Sequence, residues 1–479
     1  MTTPGAAILG IDLGTTEVKV GLVGLDGRLL AIARAGYGLD VGPDGRAEQD
    51  PEAWWSAVVV AVHALRPPES VDVVAIGVDG HGPTLVAADE RGSAVRPAIT
   101  FLDTRSTAEG QELAAATGIR GWALGPLPAA LWLERNEPEI AVAARWYLTT
   151  WEWLAFRLTG AAAAPSVPGQ ARPDPAVVAA ATGLLVDRLP MTTAMGGLVA
   201  PLGADAAVAL GLRGGIPVAG GTNDAFASYL GAGLTDAGDA YDPGGSAGGF
   251  GVYWDEALDV PGAFVTPAPL PGLYSVGAAM AATGRSLDWF RDAVVGGSAT
   301  TEALLEEAGT TPAGADGVVF LPYLAGERSP IWDPDATGAF VGLRLGHGRG
   351  HLTRAILEAS ALAIRNVAEP MLAAGVRVTA MRACGGPARS ETWNQIKADV
   401  TGFPVLVPAV LETAVLGSAI LGAVAIGASP DVRTAVRSMT RIERRLEPRP
   451  ETRATYDRAY ATYAGLYPAL RPLLAESPR

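Results

Sequence analysis

Two carboxylates and two glycine-bearing turns carry most of the chemistry open to this sequence. Asp12 ends an apolar run of Ile8, Leu9 and Ile11, and Gly14, Thr15 and Thr16 follow it. Val18, Val20 and Leu22 then alternate as a strand leaving the turn. Gly14 frees the backbone for a conformation closed to other residues, so that successive N–H groups can converge on an oxyanion. The Thr15 and Thr16 hydroxyls add donors. A carboxylate beside a phosphate cradle is repulsive unless a cation lies between them, so Asp12 implies magnesium. A tight hairpin capped by Asp and Thr is the competing reading, and this segment alone leaves both open.

Nearly half a chain later Asp242-Pro243-Gly244-Gly245-Ser246 repeats the pattern Asp-x-Gly-(Thr/Gly)-(Thr/Ser), ahead of alternating Phe250, Val252 and Trp254. Two such turns opening two halves predict a duplicated domain with a ligand clamped between them. At the end of the first half a short strand, 216–219, runs through Gly220-Gly221-Thr222-Asn223 to Asp224 and a helix from Ala225. Asp224 would be an ordinary N-cap there, were it not placed where the cleft must open. The buried strand 71–78 ends in Asp79-Gly80-His81-Gly82-Pro83, and ligands in open α/β sheets gather at the carboxyl ends of strands. His81, between two glycines, is read as a pocket residue rather than a core histidine. Asp103 and Arg105, after the run 98–102, fit a pocket wall or a surface ion pair. Gly385-Gly386-Pro387-Ala388-Arg389, between a strand and a helix capped by Ser390, lets a flat ligand approach the backbone. Neither a Gly-x-Gly-x-x-Gly fingerprint nor a P-loop occurs. His347 and His351 have metal-ligand spacing, but a helix-start role fits them better.

The elements that position these residues must belong to more than one core. A chain of 479 residues predicts two large domains, divided here as 1–236 and 237–479. With 60 Gly and 36 Pro it is turn-rich and globular, and a net charge of −14 argues against nucleic-acid or anionic-membrane partners. Cys384 is the only cysteine, which excludes an internal disulfide. No signal peptide is recognised, the apolar run 414–428 reads as a buried helix, and the protein is expected in the cytoplasm. Asp50-Pro51-Glu52 opens a helix that buries Trp54 and Trp55 as packing. Residues 161–186, rich in Ala and Pro, read as a loop. A long helix spans 351–374, and Tyr456, Tyr460, Tyr463 and Tyr467 mark a docking face on a terminal one.

From Ile8 to about Gly427 the sequence resembles the FGGY carbohydrate kinases of the actin-like ATPase superfamily. The most specific likeness is Gly338-Ala339-Phe340-Val341-Gly342-Leu343, with His351-Leu352 and Ala355-Ile356-Leu357-Glu358. Gly10 to Thr16, Glu48-Gln49-Asp50-Pro51 and Leu321 to Arg328 are also similar, as is Gly385 to Ser390 followed by Trp393. The register is most similar to that of the family's xylulokinases. The resemblance implies an α/β fold of two RNase-H-like domains with ATP and a sugar in the cleft between them. It implies that Asp12 orients Mg–ATP and Asp224 is the base for a sugar hydroxyl, both close to Mg²⁺. Gly14, Thr15, Thr16 and Lys19, with Gly244, Gly245 and Ser246, then fit phosphate hairpins. Gly284, Gly385, Gly386, Ala388 and Arg389 fit the rest of the ATP site. His81, Gly82, Asp103, Arg105 and Asn223 fit the sugar site, and a homodimer is compatible with the family.

The departures bear on the sugar. A Gly-Gln-Met-His-Gly pocket motif is shortened to Gly80-His81-Gly82-Pro83, and the base is followed by Ala225 rather than Asn. A polar loop is replaced by Ala163-Ala164-Pro165-Ser166. The expected reaction is transfer of the ATP γ-phosphoryl to a terminal hydroxyl of a ketopentose, with D-xylulose first and another pentulose or a polyol as the alternative. An actin-like assembly ATPase and a silent sugar sensor are the rival readings. The first has no use for the 338–358 pattern, and the second lacks an output segment.

Overall fold

The computed structural model describes residues 5–67, 71–170, 172–245 and 247–474. They divide into two units. The first takes Met1–Gly233, Pro267–Pro271 and Glu412–Thr440, and the second Leu234–Thr266, Gly272–Leu411 and Arg441–Arg479. The first break thus lies three residues from the 236/237 division read from the sequence. Residues 412–440, which that reading gave to the second half, pack in the first unit. The cause is the helix Thr413–Ala425, apolar on every side, which must be covered all round. It finds that cover on the first unit's sheet and on the helix Asp224–Gly231.

In the first unit β1 (Gly5–Leu13), β2 (Glu17–Gly24) and β3 (Leu29–Gly36) form an antiparallel meander. β4 (Val71–Gly80) joins β1 in parallel, and the order across the sheet is β5-β6-β4-β1-β2-β3, with β5 (Leu198–Pro201) and β6 (Pro217–Ala219). β1 is buried almost throughout and β4 over its second half, which is why both read as unbroken apolar runs. Helix Pro51–Ala64 is capped by Asp50, which accepts from the Glu52 N–H, and it buries Trp54 completely. Residues 161–186 are not all loop: Ala163–Ser166 pairs with Met191–Ala194, and Asp174 caps a helix over Pro175–Thr182. Small and proline residues carry no periodicity from which to read them.

The second unit repeats the scheme. β7 (Asp239–Asp242), β8 (Gly249–Trp254) and β10 (Tyr274–Ala279) pair antiparallel in turn, with β9 (Phe264–Pro267) outside them. β11 (Ala380–Ala383) runs parallel to β7, β12 (Val405–Pro408) parallel to β11, and β13 (Ile442–Leu446) antiparallel to β12. The strand read over 376–383 is therefore only its last half. Each sheet thus has one meander from its first strand, two parallel additions on the other side, and an antiparallel edge. Asp12 and Asp242 end the equivalent first strands.

Helix Arg349–Ala373 is buried along most of its length. His351 accepts from the Gly348 N–H at its start, and among the described residues no cluster of metal-ligating side chains occurs. The terminal helix Arg453–Leu474 buries Tyr456 and Tyr463. Tyr456 donates to Glu358 at 3.0 Å and accepts from Arg354 at 2.8 Å, which fixes the docking face. Among the described residues no helix is long and apolar enough to cross a membrane.

Candidate active site

In the first unit the strand pairing decides which side chains meet. Asp12, at the end of β1, lies opposite Lys19 across β2 and Asp79 across β4. Lys19 Nζ stands 3.5 Å from Asp12 and 3.9 Å from both Glu17 and Glu412. Burial works against its ammonium, but Asp12, Glu412 and Glu17 outweigh this and hold its pKa above the ordinary value. Asp79 is fully buried and accepts a hydrogen bond from Ser418. Burial raises the pKa of both Asp12 and Asp79, and Asp79 the more, because Asp12 repels it and no cation among the described residues pairs with it.

Asp224 sits one position inside its helix. The N-cap is Asn223, whose Oδ1 accepts from the Phe226 N–H at 2.8 Å, so the capping expected of Asp224 is done by its neighbour. Asp224 Oδ1 instead accepts from the Ala225 N–H. Burial, reinforced by Asp12, pushes this carboxyl up to about 7, against the pull of the Ala225 N–H and Lys19. A carboxylate poised near neutrality is suited to general-base work.

The turn after Asp12 departs from its expected geometry. Gly14 does not adopt a left-handed conformation. It is needed for space, since a Cβ there would stand 3.0 Å from the Glu17 carbonyl, to which the Gly14 N–H already donates at 3.1 Å. That N–H is therefore spent on the hairpin rather than aimed at an anion. Thr15 is half-buried and Thr16 exposed, and their carbonyls accept from Gln49 and the Tyr37 N–H.

His81 is more deeply packed than the sequence reading expected. It is 1% exposed, edge-on to Trp54 and tilted against Phe101, so it is a core histidine by packing. Its Nδ1 lies 3.2 Å from the Thr84 hydroxyl, and Nε2 has no hydrogen-bond partner among the described residues. Burial lowers its pKa to about 4, which keeps the ring neutral. Gly82 packs under the Trp151 ring. Asp103 and Arg105 form a half-buried ion pair rather than a surface one. Arg105 reaches Glu48 as well, and its guanidinium lies 4.4 Å from the Trp132 ring centre.

In the second unit Asp242 Oδ1 accepts from the Gly244 N–H at 3.0 Å, and Gly244 has φ +57°. This is the turn that needs glycine, because a Cβ there would meet the Cys384 carbonyl at 2.1 Å. Gly245 is exposed, and Ser246 lies outside the described residues. The Thr283 N–H and hydroxyl both donate to the Ala247 carbonyl, which straps this hairpin to Gly284 at the start of helix Gly284–Trp289. Gly385, with φ +66°, abuts the Pro243 carbonyl, and a single helical turn follows over Gly386–Arg389. Ala388 is in the core, so only its backbone is open to a role. Gly244, Gly284 and Pro387 border one small cavity of about 10 Å³. The second hairpin, the Gly284 junction and the Gly385 loop, read separately from the sequence, are thus brought together.

Asp79, Ser418 and Lys397 were not read as site residues. Asp79 could have been found as the only carboxylate ending the 71–78 strand. Lys397 could have been found because it shares a helix face with Trp393 and Val400. For Mg²⁺, the chemistry of the donors fits an ion held mainly by phosphates and water. Asp12 raises the pKa of Asp224, and among the described residues no group of three or more metal-ligating side chains occurs.

A family model described as the N-terminal domain of the FGGY carbohydrate kinases matches residues 7–166, and one for the C-terminal domain matches residues 248–426. The xylulose kinase of Escherichia coli (strain K12) is 33% identical over 414 residues, covering 82% of this chain and 84% of its own. The gluconokinase of Bacillus subtilis (strain 168) is 28% identical over 443 residues, covering 85% of each. The crystal structure of xylulose kinase from Rhodospirillum rubrum matches with a TM-score of 0.81 at 30% identity, covering 98% of this chain and 100% of that one. The sheet of each unit is accordingly RNase-H-like, and this chain belongs to the FGGY family of carbohydrate kinases.

Proposed function

We infer that the protein transfers the γ-phosphoryl of ATP to a terminal hydroxyl of a ketopentose, D-xylulose first, giving xylulose 5-phosphate and ADP. The observation that carries this reading is Asp224, a half-buried carboxylate at a helix start whose pKa of about 7 suits it to take a proton from an alcohol. The xylulose kinases at 30–33% identity over about four fifths of the chain support the choice of sugar.

In this reading Asp224 accepts the hydroxyl proton as the alkoxide oxygen bonds to the γ-phosphorus and the bond to the β-phosphate oxygen breaks, releasing ADP. Such transfer depends mainly on positioning and charge stabilisation. Mg²⁺, when bound, neutralises phosphate charge, and Asp12 with Asp224 would hold it through water. The Gly244–Ser246 hairpin, Gly284 and the Gly385–Arg389 loop hold the nucleotide. Gly14 to Lys19 are the first unit's candidates for contact with phosphate, with Lys19 supplying positive charge. Asp103, Arg105, His81 and Gly82 shape the sugar site.

One observation favours another pentulose or a polyol as the alternative substrate. Asn223 is committed to its cap, and of His81 only Nε2 is left, so two expected hydroxyl contacts are reduced. A site that bonds a hydroxyl discriminates strongly against sugars lacking it. ADP release measured with purified protein against pentuloses, hexuloses, gluconate and polyols tests the reading. Highest kcat/KM with D-xylulose is expected. A clear preference for a polyol or an aldonate would replace the substrate, and ATP hydrolysis indifferent to every sugar would end the kinase assignment.

A further inference from the structure

Lys397 is 2% exposed, in the middle of helix Glu391–Thr401, and its Nζ donates to Asp242 Oδ2. Asp242 is 3% exposed. A buried ammonium is costly unless paired, and here the pairing is with a carboxylate that has a second task. Asp242 Oδ1 accepts from the Gly244 N–H and so closes the left-handed turn of the second hairpin. One carboxylate therefore bonds both the turn and the helix.

The helix in turn begins at the Gly385–Arg389 loop. Ser390 caps it by accepting from the Trp393 N–H, and Asn394 Nδ2 donates to the Ala388 carbonyl at 2.7 Å. Lys397 Nζ also lies 5.5 Å from the Trp393 ring centre. The loop is thus tied to the helix at residue 394 and the hairpin at residue 397, one turn apart on the same rigid element. Asp242, Gly244, Pro387, Trp393 and Lys397 all border the small cavity where these segments meet.

We propose that Lys397 is a positioning residue for the nucleotide: through Asp242 it holds the second hairpin at a fixed distance from the Gly385–Arg389 loop. The ammonium is sealed from solvent and does not touch the nucleotide. Its action is to keep the donors for the phosphates and the surface for the base on one frame, so that binding does not have to align them. The inference rests on reading these two segments as the ATP site.

The test uses the full chain and Mg–ADP. The double variant Asp242→Asn/Lys397→Met removes both charges, while the amide oxygen of Asn still accepts from the Gly244 N–H. Removing both partners together is far less damaging to stability than removing one. Expected is a melting temperature near that of the wild type, an unchanged KM for the sugar, and Mg–ADP affinity lower by about 10-fold or more, since a displacement of about 1 Å can cost about 10²-fold in a positioned site. Unchanged Mg–ADP affinity would overturn the proposal. So would a loss shared equally by sugar binding and stability, which marks a purely structural pair. Should the variant not fold, hydrogen exchange on the wild type decides: Mg–ADP must protect the amides of 242–248 and 391–401 together, and protection of the hairpin alone overturns the proposal. Wild-type protein that binds no Mg–ADP would instead refute the ATP-site reading itself.

Discussion

Asp12 and Asp79 lie opposite each other on neighbouring parallel strands, two buried carboxyls with a single ammonium, Lys19, that serves only the first. Burial and the repulsion between them disfavour two charges on the pair, and the pKa of Asp79, whose other support is a neutral hydroxyl from Ser418, is raised the more. Asp12 is then left as the member that can carry negative charge. The strand pairing, rather than a loop, sets this division of labour.

Asp79→Asn is expected to preserve it, because the amide supplies a neutral donor towards Asp12 and an acceptor for Ser418. A carboxyl whose folded pKa is raised holds a proton that the unfolded chain has already released. Stability is therefore lost as pH rises from the unfolded pKa near 4 towards the folded value. The variant should escape that loss and melt at least as high as the wild type at pH 8, with turnover kept within about 10-fold. Thermal melts at pH 5 and pH 8, with sugar-dependent ADP release, check this. Collapse of turnover would show that Asp79 must ionise.

Asp224→Asn separates binding from chemistry. Loss of a positioned base typically costs about 10²–10⁴-fold in rate, and kcat is expected to fall by that range while Mg–ADP binding and the fold persist. The pH sign is the same as for Asp79: between pH 4 and about 7 the wild type loses stability that the amide variant retains. Melting the ligand-free proteins at pH 5 and pH 8 should show a smaller decline for the variant. Near-normal ADP release would remove Asp224 from the base role.

Glu327, in the second unit, offers a control. It is buried, pushed up to about 7 by that burial, and its Oε1 accepts from the N–H groups of Ala281 and Arg328. Glu327→Gln keeps those acceptors and removes the charge. The variant should be close to the wild type at pH 5 and more stable at pH 8, by up to about 1.4 kcal/mol for each pH unit between the unfolded pKa and the folded value of about 7. Denaturant melts at the two pH values measure this. A variant less stable at both would mean that the carboxylate form is the one the loop requires.

The two Asp-x-Gly turns were legible because each joins alternating strands in the same way, and local pattern is what a sequence displays. Asp224 was legible from its glycine-rich junction, although its cap was assigned to the wrong neighbour: only backbone geometry decides which of two adjacent acceptors reaches the third N–H. The burial of His81 was not legible, because it comes from Trp54 and Phe101, distant in sequence. Ser418 was not legible at all, and of Lys397 only its helix face was. Each matters through a carboxylate hundreds or at least 150 residues away, Asp242 and Asp79, and the pairing exists only once the sheets have formed. The transfer of 412–440 to the first unit was hidden for the same reason, since an all-apolar helix announces that it is buried but not where.

That helix also fixes the position of the base. Gly417 faces the Ala227 carbonyl so closely that a Cβ would come to 1.9 Å, and a Cβ on Gly231 would come to 1.8 Å from the Thr413 carbonyl. The helices Asp224–Gly231 and Thr413–Ala425 therefore touch backbone to backbone, and neither neighbour is a side chain that can move aside. Gly417→Ala must push the helices apart, at a cost of about 1–3 kcal/mol. Because Asp224 begins the displaced helix, kcat should fall by more than the loss of folded protein explains, about 10-fold or more at temperatures well below the melt. Comparing kcat per folded molecule with Mg–ADP affinity checks this. If the helix contact positions the base, kcat falls while Mg–ADP affinity, for which the second hairpin and the Gly385–Arg389 loop are proposed, changes little; if both stay, the contact serves stability alone.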